Sequence, residues 1–182
     1  MERDGRTWCV LFCAMNTKVK NLIYGSMIAA LYAVLTHLQN FLFPGSANLA
    51  IQFRLSEILC VLAFFTPSAI WGLTLGCLIY NLTCSVALPL DFLVGSLATF
   101  LAVGGMYLTR KWTVKNYPLL GMLLPAVTNA LLVGWELTVY IGGGFWINAL
   151  CVAIGEAAVL LIPGSILYYT IKARGLDQRI FS

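Results

Sequence analysis

Long apolar stretches separated by short polar intervals are the feature that most limits how this chain can fold. Of its 182 residues, 60% are hydrophobic and 10% are charged, whereas soluble domains carry about 25% charged residues. The mean hydropathy of +0.89 agrees with this bias. Such a chain buries its apolar side chains in a bilayer. The sequence therefore predicts an all-α integral membrane protein without a sizeable soluble domain.

Prolines, glycines and basic clusters divide the apolar sequence into six predicted transmembrane helices. They cover approximately residues 21–43, 51–65, 68–88, 91–108, 118–141 and 145–172. Most have the roughly 17 to 25 residues that a span requires, but the second is short and the sixth is long enough to project past the bilayer. We therefore expect a six-helix membrane domain in residues 21–173, between a leader in residues 1–20 and a tail in residues 174–182.

The distribution of Lys and Arg predicts the orientation of these helices. Ten of the eleven basic residues fall in the leader, between the fourth and fifth spans, or at the end of the chain, and Arg54 is the exception. By the positive-inside rule both termini are cytoplasmic, in a multi-pass protein of the plasma membrane. The apolar run in the leader is too short to span. We therefore predict a start at Met15, with the residues before it an extension or a loosely bound surface segment.

Two of the predicted spans each carry one glutamate in apolar surroundings. Glu136 lies in the fifth span and Glu156 in the sixth. A carboxylate at the centre of a transmembrane helix costs roughly 2.5 kcal/mol or more, so it normally faces a bundle interior, a partner or a ligand. These glutamates are the first candidates for a ligand site, and the alternative is that each only fixes helix packing.

Polar and aromatic neighbours extend this candidate site. Asn129 lies seven residues before Glu136 and shares its helix face, with Tyr140 one turn beyond. A carboxylate in such a place suits a flat ligand with two adjacent N–H donors, because it accepts both in charge-assisted bonds. The candidate substrate-binding residues are Glu136, Glu156, Asn129, Trp135, Tyr140, Trp146, Asn148, Arg54, Glu57 and Asn81.

Three further charged residues have structural interpretations beside the functional one. Arg54 and Glu57 are spaced i, i+3, which predicts an ion pair within one helical turn. Asp91 follows Pro89-Leu90 and is interpreted as the N-cap of the fourth span. The six cysteines and one histidine lack metal-ligand spacing, so no metal, cofactor or disulfide is expected.

Small residues in the first span, Gly25, Ala29 and Ala33, recur every four residues. Such a stripe lets another helix approach closely, either within the molecule or from a partner subunit. Motifs for ATP hydrolysis and for familiar hydrolases are not found, which argues against an enzyme.

Several segments of the chain carry a resemblance to a known family. They are AALYAVLT at 29–36, QFRLSEIL at 52–59 with FTP at 65–67, DFLVGSLA at 91–98, GWE at 134–136 after Asn129, and GE at 155–156. From about Met15 to the end of the sixth span, the chain resembles the QueT family, the substrate-binding S components of energy-coupling factor (ECF) transporters. The leader before Met15 departs from the family pattern.

This resemblance implies a six-helix bundle of the ECF S-component type that captures a queuosine precursor, queuine or queuosine for ATP-driven uptake. It also implies docking through Ala29, Ala33 and Gly25 onto a transmembrane coupling subunit that works with two ATPase subunits. A 7-deazaguanine has the adjacent N–H donors that Glu136 or Glu156 prefers. Two alternatives stay open: a proton-coupled transporter that works alone, and an S component for another vitamin.

Overall fold

The computed structural model describes residues 16–44, 53–84 and 87–176, and every regular element in these residues is helical. There are six α-helices, one 3₁₀ helix and one π-helical turn. They are α1 (Thr17–Leu42), the 3₁₀ helix (Leu55–Phe64), α2 (Ser68–Thr83), α3 (Asp91–Thr109), α4 (Leu119–Tyr140), α5 (Phe145–Val159), the π turn (Leu160–Gly164) and α6 (Ser165–Ala173). Residues 1–15 of the predicted leader, and all but the start of the predicted tail, lie outside the described residues.

Four helical segments are long and apolar enough to cross a membrane. They are Thr17–Leu42, Asp91–Thr109, Leu119–Tyr140 and Phe145–Ala173, the last formed by α5, the π turn and α6 together. The prediction of an all-helical fold is thereby confirmed for the described residues, and these four candidate spans agree with a multi-pass membrane protein. The second and third predicted spans correspond to shorter apolar helices, Leu55–Phe64 and Ser68–Thr83.

The first and third predicted spans need correction at one boundary each. Helix α1 begins at Thr17, inside the predicted leader, because the Asn16 side chain accepts a hydrogen bond of 3.0 Å from the Lys18 backbone N–H. Helix α2 ends at Thr83 rather than at residue 88, because the backbone of Cys84 turns to an extended conformation.

The second predicted span is a 3₁₀ helix at the centre of the bundle rather than an α-helix. It contacts α1, α2, α3, α5, α6 and the π turn, and seven of its ten residues are buried. A 3₁₀ helix rises about 2.0 Å per residue, so these ten residues cover about 20 Å where an α-helix would cover about 15 Å. Runs of this length are uncommon, because the hydrogen-bond geometry of a 3₁₀ helix is poorer than that of an α-helix.

Small residues bring α1 and α2 into close backbone contact. A Cβ atom added at Gly72 would lie 2.6 Å from the backbone oxygen of Gly25, and one added at Gly76 would lie 2.8 Å from that of Ala29. Ala29 and Ala33 are both buried. The small-residue stripe therefore packs within the molecule, which corrects the prediction that Ala29 and Ala33 dock a partner subunit, because α2 already occupies that face.

This packing makes Gly76 sensitive to the smallest side chain. In Gly76→Ala the new methyl group would meet backbone atoms of Ala29 and the Cβ of Tyr32 at 2.8 Å, so we expect the free energy of unfolding to fall by about 1 to 3 kcal/mol. Gly104→Ala is the matched control, since nothing lies within 4 Å of its added Cβ. Thermal unfolding in detergent, followed by tryptophan fluorescence, should show a loss for Gly76→Ala and none for Gly104→Ala.

Most of the basic residues lie at one end of the bundle. The Tyr117 hydroxyl lies 2.5 Å from that of Ser165, and a Cβ at Gly121 would meet Phe64 and Thr109. One side of the bundle therefore holds the ends of α3 and α6 and the starts of α1, α2 and α4. This side is called the basic end below. The basic residues of this end are Lys18, Lys20, Arg110, Lys111, Lys115, Lys172 and Arg174.

Candidate functional site

Five charged side chains are buried among the described residues, and all lie away from the basic end. They come from four elements of the bundle: Arg54 and Glu57 from the 3₁₀ helix and its first flanking residue, Asp91 from α3, Glu136 from α4 and Glu156 from α5. Four carboxylates therefore face one guanidinium. Burying charge without compensation is costly, so the partners of each group decide what the cluster can do.

Arg54 pairs with α3 rather than within its own helix. Its Nη2 atom lies 3.5 Å from Oδ2 of Asp91, and its guanidinium lies 6.0 Å from the ring centre of Tyr80. This corrects two predictions. The expected Arg54–Glu57 ion pair is replaced by a pair between elements, and Asp91 is the first residue of α3, after an N-cap at Leu90, with its side chain turned to Arg54.

Glu57 is held by donors from the protein itself. The Tyr32 hydroxyl donates to its Oε1 at 2.6 Å, and the Cys60 thiol donates to its Oε2 at 2.9 Å. One turn along α1 from Tyr32, the Thr36 hydroxyl donates to Ser56 at 2.7 Å. These bonds tie the 3₁₀ helix to α1, so Glu57 has a structural anchor that Glu136 and Glu156 lack.

Glu136 and Glu156 are buried without a hydrogen-bond donor. Their side chains are 0% and 1% exposed, and no described residue donates to any of their four carboxyl oxygens. Asn129 lies next to Glu156 and its amide acts on that carboxyl, but outside hydrogen-bond geometry. Arg54 acts electrostatically on both glutamates. Both carboxyls can therefore accept donors from a ligand.

Two more oxygens of the same kind lie beside the ion pair. The Asn81 amide nitrogen donates to the backbone oxygen of Asp91 at 2.8 Å. Its Oδ1, like Oδ1 of Asp91, is buried without a donor among the described residues. With the four oxygens of Glu136 and Glu156, six buried side-chain acceptors of this cluster lack a donor among the described residues. A donor-rich ligand would satisfy them, whereas an acceptor-rich one would not.

The two glutamates lie at different depths. Glu136 is four residues from the end of α4 at Tyr140, about 6 Å along the axis, whereas Glu156 is eleven residues from the start of α5 at Phe145, about 16 Å. Helices α4 and α5 run antiparallel and touch closely, since a Cβ at Gly134 would lie 2.8 Å from Cα of Ala149. Glu136 thus lies nearer than Glu156 to the end of the bundle opposite the basic end.

The aromatic residues predicted to stack on a ligand face outward. Trp135 is 50% exposed, Tyr140 41% and Trp146 78%. They lie on the surface of α4 and α5 rather than among the buried carboxyls, which corrects the expectation that one of them stacks in the site. Asn148 is likewise used elsewhere, because its amide donates to Thr138 and to the Gly142 carbonyl, both at 3.0 Å.

Tyr32 and Tyr80 are buried aromatic residues of the cluster that the sequence reasoning missed. Both are 0% exposed, Tyr32 bonded to Glu57 and Tyr80 lying beneath Arg54. A signal existed for Tyr32, since Tyr32 and Thr36 are one turn apart on α1 and both are polar in an apolar segment. Nothing comparable distinguishes Tyr80 in the sequence.

Comparison with known proteins places this chain in a family. The sequence model of the QueT transporter family matches residues 22–173, from α1 to the end of α6. The "Queuosine precursor transporter QueT" of Lactococcus lactis subsp. cremoris (strain MG1363) is 34% identical over 100 residues, which are 52% of this chain and 55% of that protein. The match thus spans about half the length of that relative, and no solved structure matches the chain significantly. Because the family match extends over all six α-helices, this chain belongs to the QueT transporter family, a family of transporters rather than enzymes.

Proposed function

We propose that this chain captures a 7-deazaguanine, a precursor of queuosine, at the buried carboxylate cluster. The observation that carries the proposal is the set of six buried acceptor oxygens without donors, on Asn81, Asp91, Glu136 and Glu156. A deazaguanine presents an amide N–H, an exocyclic amine and a pyrrole N–H, so it supplies the donors that these oxygens lack. The Lactococcus relative is named as a transporter of queuosine precursors, which supports the same substrate class.

Each glutamate has a separate part in this proposal. A carboxylate accepts two adjacent N–H donors at once, so Glu156, with Asn129 beside it, would bind the guanine-like edge. Glu136, nearer the end of the bundle opposite the basic end, would bind the substituent at the 7-position. Tyr80 or Tyr32 would offer the aromatic surface on which the flat ring stacks. They would take the role that the sequence predicted for Trp135, Tyr140 or Trp146.

The charge of the cluster favours a cationic substrate. Four buried carboxylates face one buried guanidinium, so a bound cation reduces the repulsion that the carboxylates exert on one another. The aminomethyl form of the deazaguanine carries such a charge, whereas the cyano form is neutral. We infer that 7-aminomethyl-7-deazaguanine binds more tightly than 7-cyano-7-deazaguanine.

The wider arrangement that we propose follows the family resemblance. The chain would be the S component of an ECF-type importer, with six membrane-crossing segments, and both termini and the basic end would be cytoplasmic. The short 3₁₀ helix and α2 would complete the count of six. The chain would associate with a transmembrane coupling subunit and two ATPase subunits in the plasma membrane. Because α2 covers Ala29 and Ala33, docking would use the exposed side of α1 around Met27, Leu31 and Val34.

Calorimetric binding to the purified protein in detergent tests the substrate. We expect tight binding of deazaguanines, with the aminomethyl form favoured over the cyano form by about tenfold or more, because a charge-assisted hydrogen bond contributes about 1.5 to 3 kcal/mol. Queuine, queuosine, guanine and two unrelated vitamins complete the ligand set. Binding of a vitamin with no deazaguanine binding would reject the substrate assignment and leave the family membership standing.

A liposome assay separates the proposal from a transporter that works alone. The isolated protein, reconstituted with a pH gradient but without ATPase subunits, should bind 7-aminomethyl-7-deazaguanine without accumulating it. Accumulation driven by the pH gradient would instead mean that the buried glutamates carry protons during transport.

A further inference from the structure

We propose that Gln39 is a positioning residue of the carboxylate cluster, because its side-chain amide holds Arg54 in the extended conformation from which the guanidinium pairs with Asp91. Gln39 lies near the end of α1 and is only 6% exposed. Arg54 supplies the positive charge among the five buried charged side chains described above. Whatever fixes its direction therefore fixes the charge balance of the cluster. The consequence for substrate affinity rests on the proposed function, whereas the consequence for the ion pair does not.

The Gln39 amide bonds to the backbone on both sides of Arg54. Its nitrogen donates to the carbonyl oxygen of Phe53, and its oxygen accepts from the backbone N–H of Leu55 at 2.7 Å. The side-chain amide thus pairs with this segment as the peptide groups of a neighbouring antiparallel strand would. Both hydrogen-bonding groups of the amide are committed to the residues next to Arg54.

These two bonds require an extended backbone at Arg54. Arg54 has a φ of −93° and a ψ of 103°, and the 3₁₀ helix begins at the next residue, Leu55. The carbonyl before an extended residue and the N–H after it point to the same side of the chain, so one amide can bond to both. In a helix the carbonyls point one way along the axis and the N–H groups the other way. If Arg54 joined the helix, Gln39 could therefore keep only one of its two bonds.

From this extended position the Arg54 side chain reaches two other helices. Its Nη2 atom lies 3.5 Å from Oδ2 of Asp91 on α3, and its guanidinium lies 6.0 Å from the ring centre of Tyr80 on α2. A different backbone conformation at Arg54 would turn the guanidinium away from Asp91. The Asp91 carboxylate would then be buried without its ion-pair partner, which is costly.

Thr36 offers a matched comparison for Gln39. The two residues are three apart on the same face of α1. The Thr36 hydroxyl donates to the Ser56 hydroxyl at 2.7 Å, so Thr36 also ties α1 to this segment of the chain. That bond ends on a side chain two residues beyond Arg54 and does not bracket the Arg54 backbone. Loss of the Thr36 bond should therefore leave Arg54 extended.

A double-mutant cycle of thermal unfolding in detergent tests this role without any ligand. Gln39→Met loses both bonds, and we expect it to lower the unfolding temperature by about 2 to 8 °C. In the Asp91→Asn background, which already lacks the ion pair, the same substitution should lower it by about half as much or less. Gln39→Asn, whose amide is one methylene shorter, should show the same dependence on the background. Thr36→Val should lower the unfolding temperature equally in both backgrounds.

Equal losses for Gln39→Met in the two backgrounds would overturn the proposal, since Gln39 would then stabilise the bundle without acting through Arg54. Binding of 7-aminomethyl-7-deazaguanine gives a second readout. Its affinity should fall about three- to tenfold in Gln39→Met and stay unchanged in Thr36→Val. An equal loss of affinity in these two variants would also contradict a positioning role. If the unmodified protein binds no deazaguanine, the proposed function fails, while the unfolding cycle still decides the role of Gln39.

Discussion

Replacing Glu156 with glutamine is expected to weaken binding of 7-aminomethyl-7-deazaguanine by roughly 10- to 100-fold. A hydrogen bond to a charged group contributes about 1.5 to 3 kcal/mol, and no described residue donates to Glu156. Glutamine keeps the size of the side chain but replaces one acceptor oxygen with a donor. Calorimetric titration of the purified variant measures the loss directly.

Stability separates this role from a structural one. Because no described residue donates to either Glu156 oxygen, Glu156→Gln breaks no hydrogen bond that the structure shows and should leave the unfolding temperature unchanged or raise it. Glu57→Gln is the contrasting variant. The Glu57 carboxylate already accepts hydrogen bonds from Tyr32 and Cys60. We therefore expect Glu57→Gln to lower the unfolding temperature more than it weakens ligand binding. A Glu156→Gln protein that unfolds more easily yet binds normally would reduce Glu156 to a packing residue.

Replacing Arg54 with methionine is expected to lower the free energy of unfolding by about 3 to 5 kcal/mol. The change leaves Asp91 buried without its ion-pair partner at 3.5 Å. It also removes the guanidinium that acts on both Glu136 and Glu156, so four carboxylates would face each other without a positive charge. Unfolding in detergent, followed by tryptophan fluorescence, measures the effect.

A second substitution at Asp91 tests whether this loss comes from the ion pair. Arg54→Met combined with Asp91→Asn should recover part of the stability, because a buried pair replaced as a whole costs less than a pair broken on one side. Asp91→Asn alone is the remaining corner of this double-mutant cycle. If the two single losses simply add in the double variant, the Arg54–Asp91 contact does not stabilise the fold.

Much of the helical layout could be predicted because helix ends have local causes. Predicted boundaries for the helices now labelled α3 and α4 agree within about one residue, since Pro89 and Pro118 stand just before their first turns. The two glutamates also stood out in the sequence, because a carboxylate in an apolar helix is costly wherever it lies. Their burial agrees with that argument, while their role in binding stays a prediction.

Local sequence did not predict the 3₁₀ geometry of Leu55–Phe64. Its residues have no pattern that separates a 3₁₀ helix from an α-helix, and the element is surrounded by α1, α2, α3 and α5. Within this element Glu57 accepts a hydrogen bond from Tyr32, 25 residues earlier in the chain. Contacts between elements distant in sequence therefore determine this geometry.

The tertiary structure also decided which residues pair with each other and which side chains face outward from the bundle. Helical periodicity shows that Asn129 and Glu136 share a face, but not whether Trp135 or Tyr140 turns toward protein or lipid, because lipid tails are as apolar as leucine. For the same reason Ala29 and Ala33 could have received α2 or another subunit, and Arg54 could have paired with Glu57 or Asp91. The sequence determines which segments are helices and which charges enter the membrane, whereas the packing of those helices determines which charges meet.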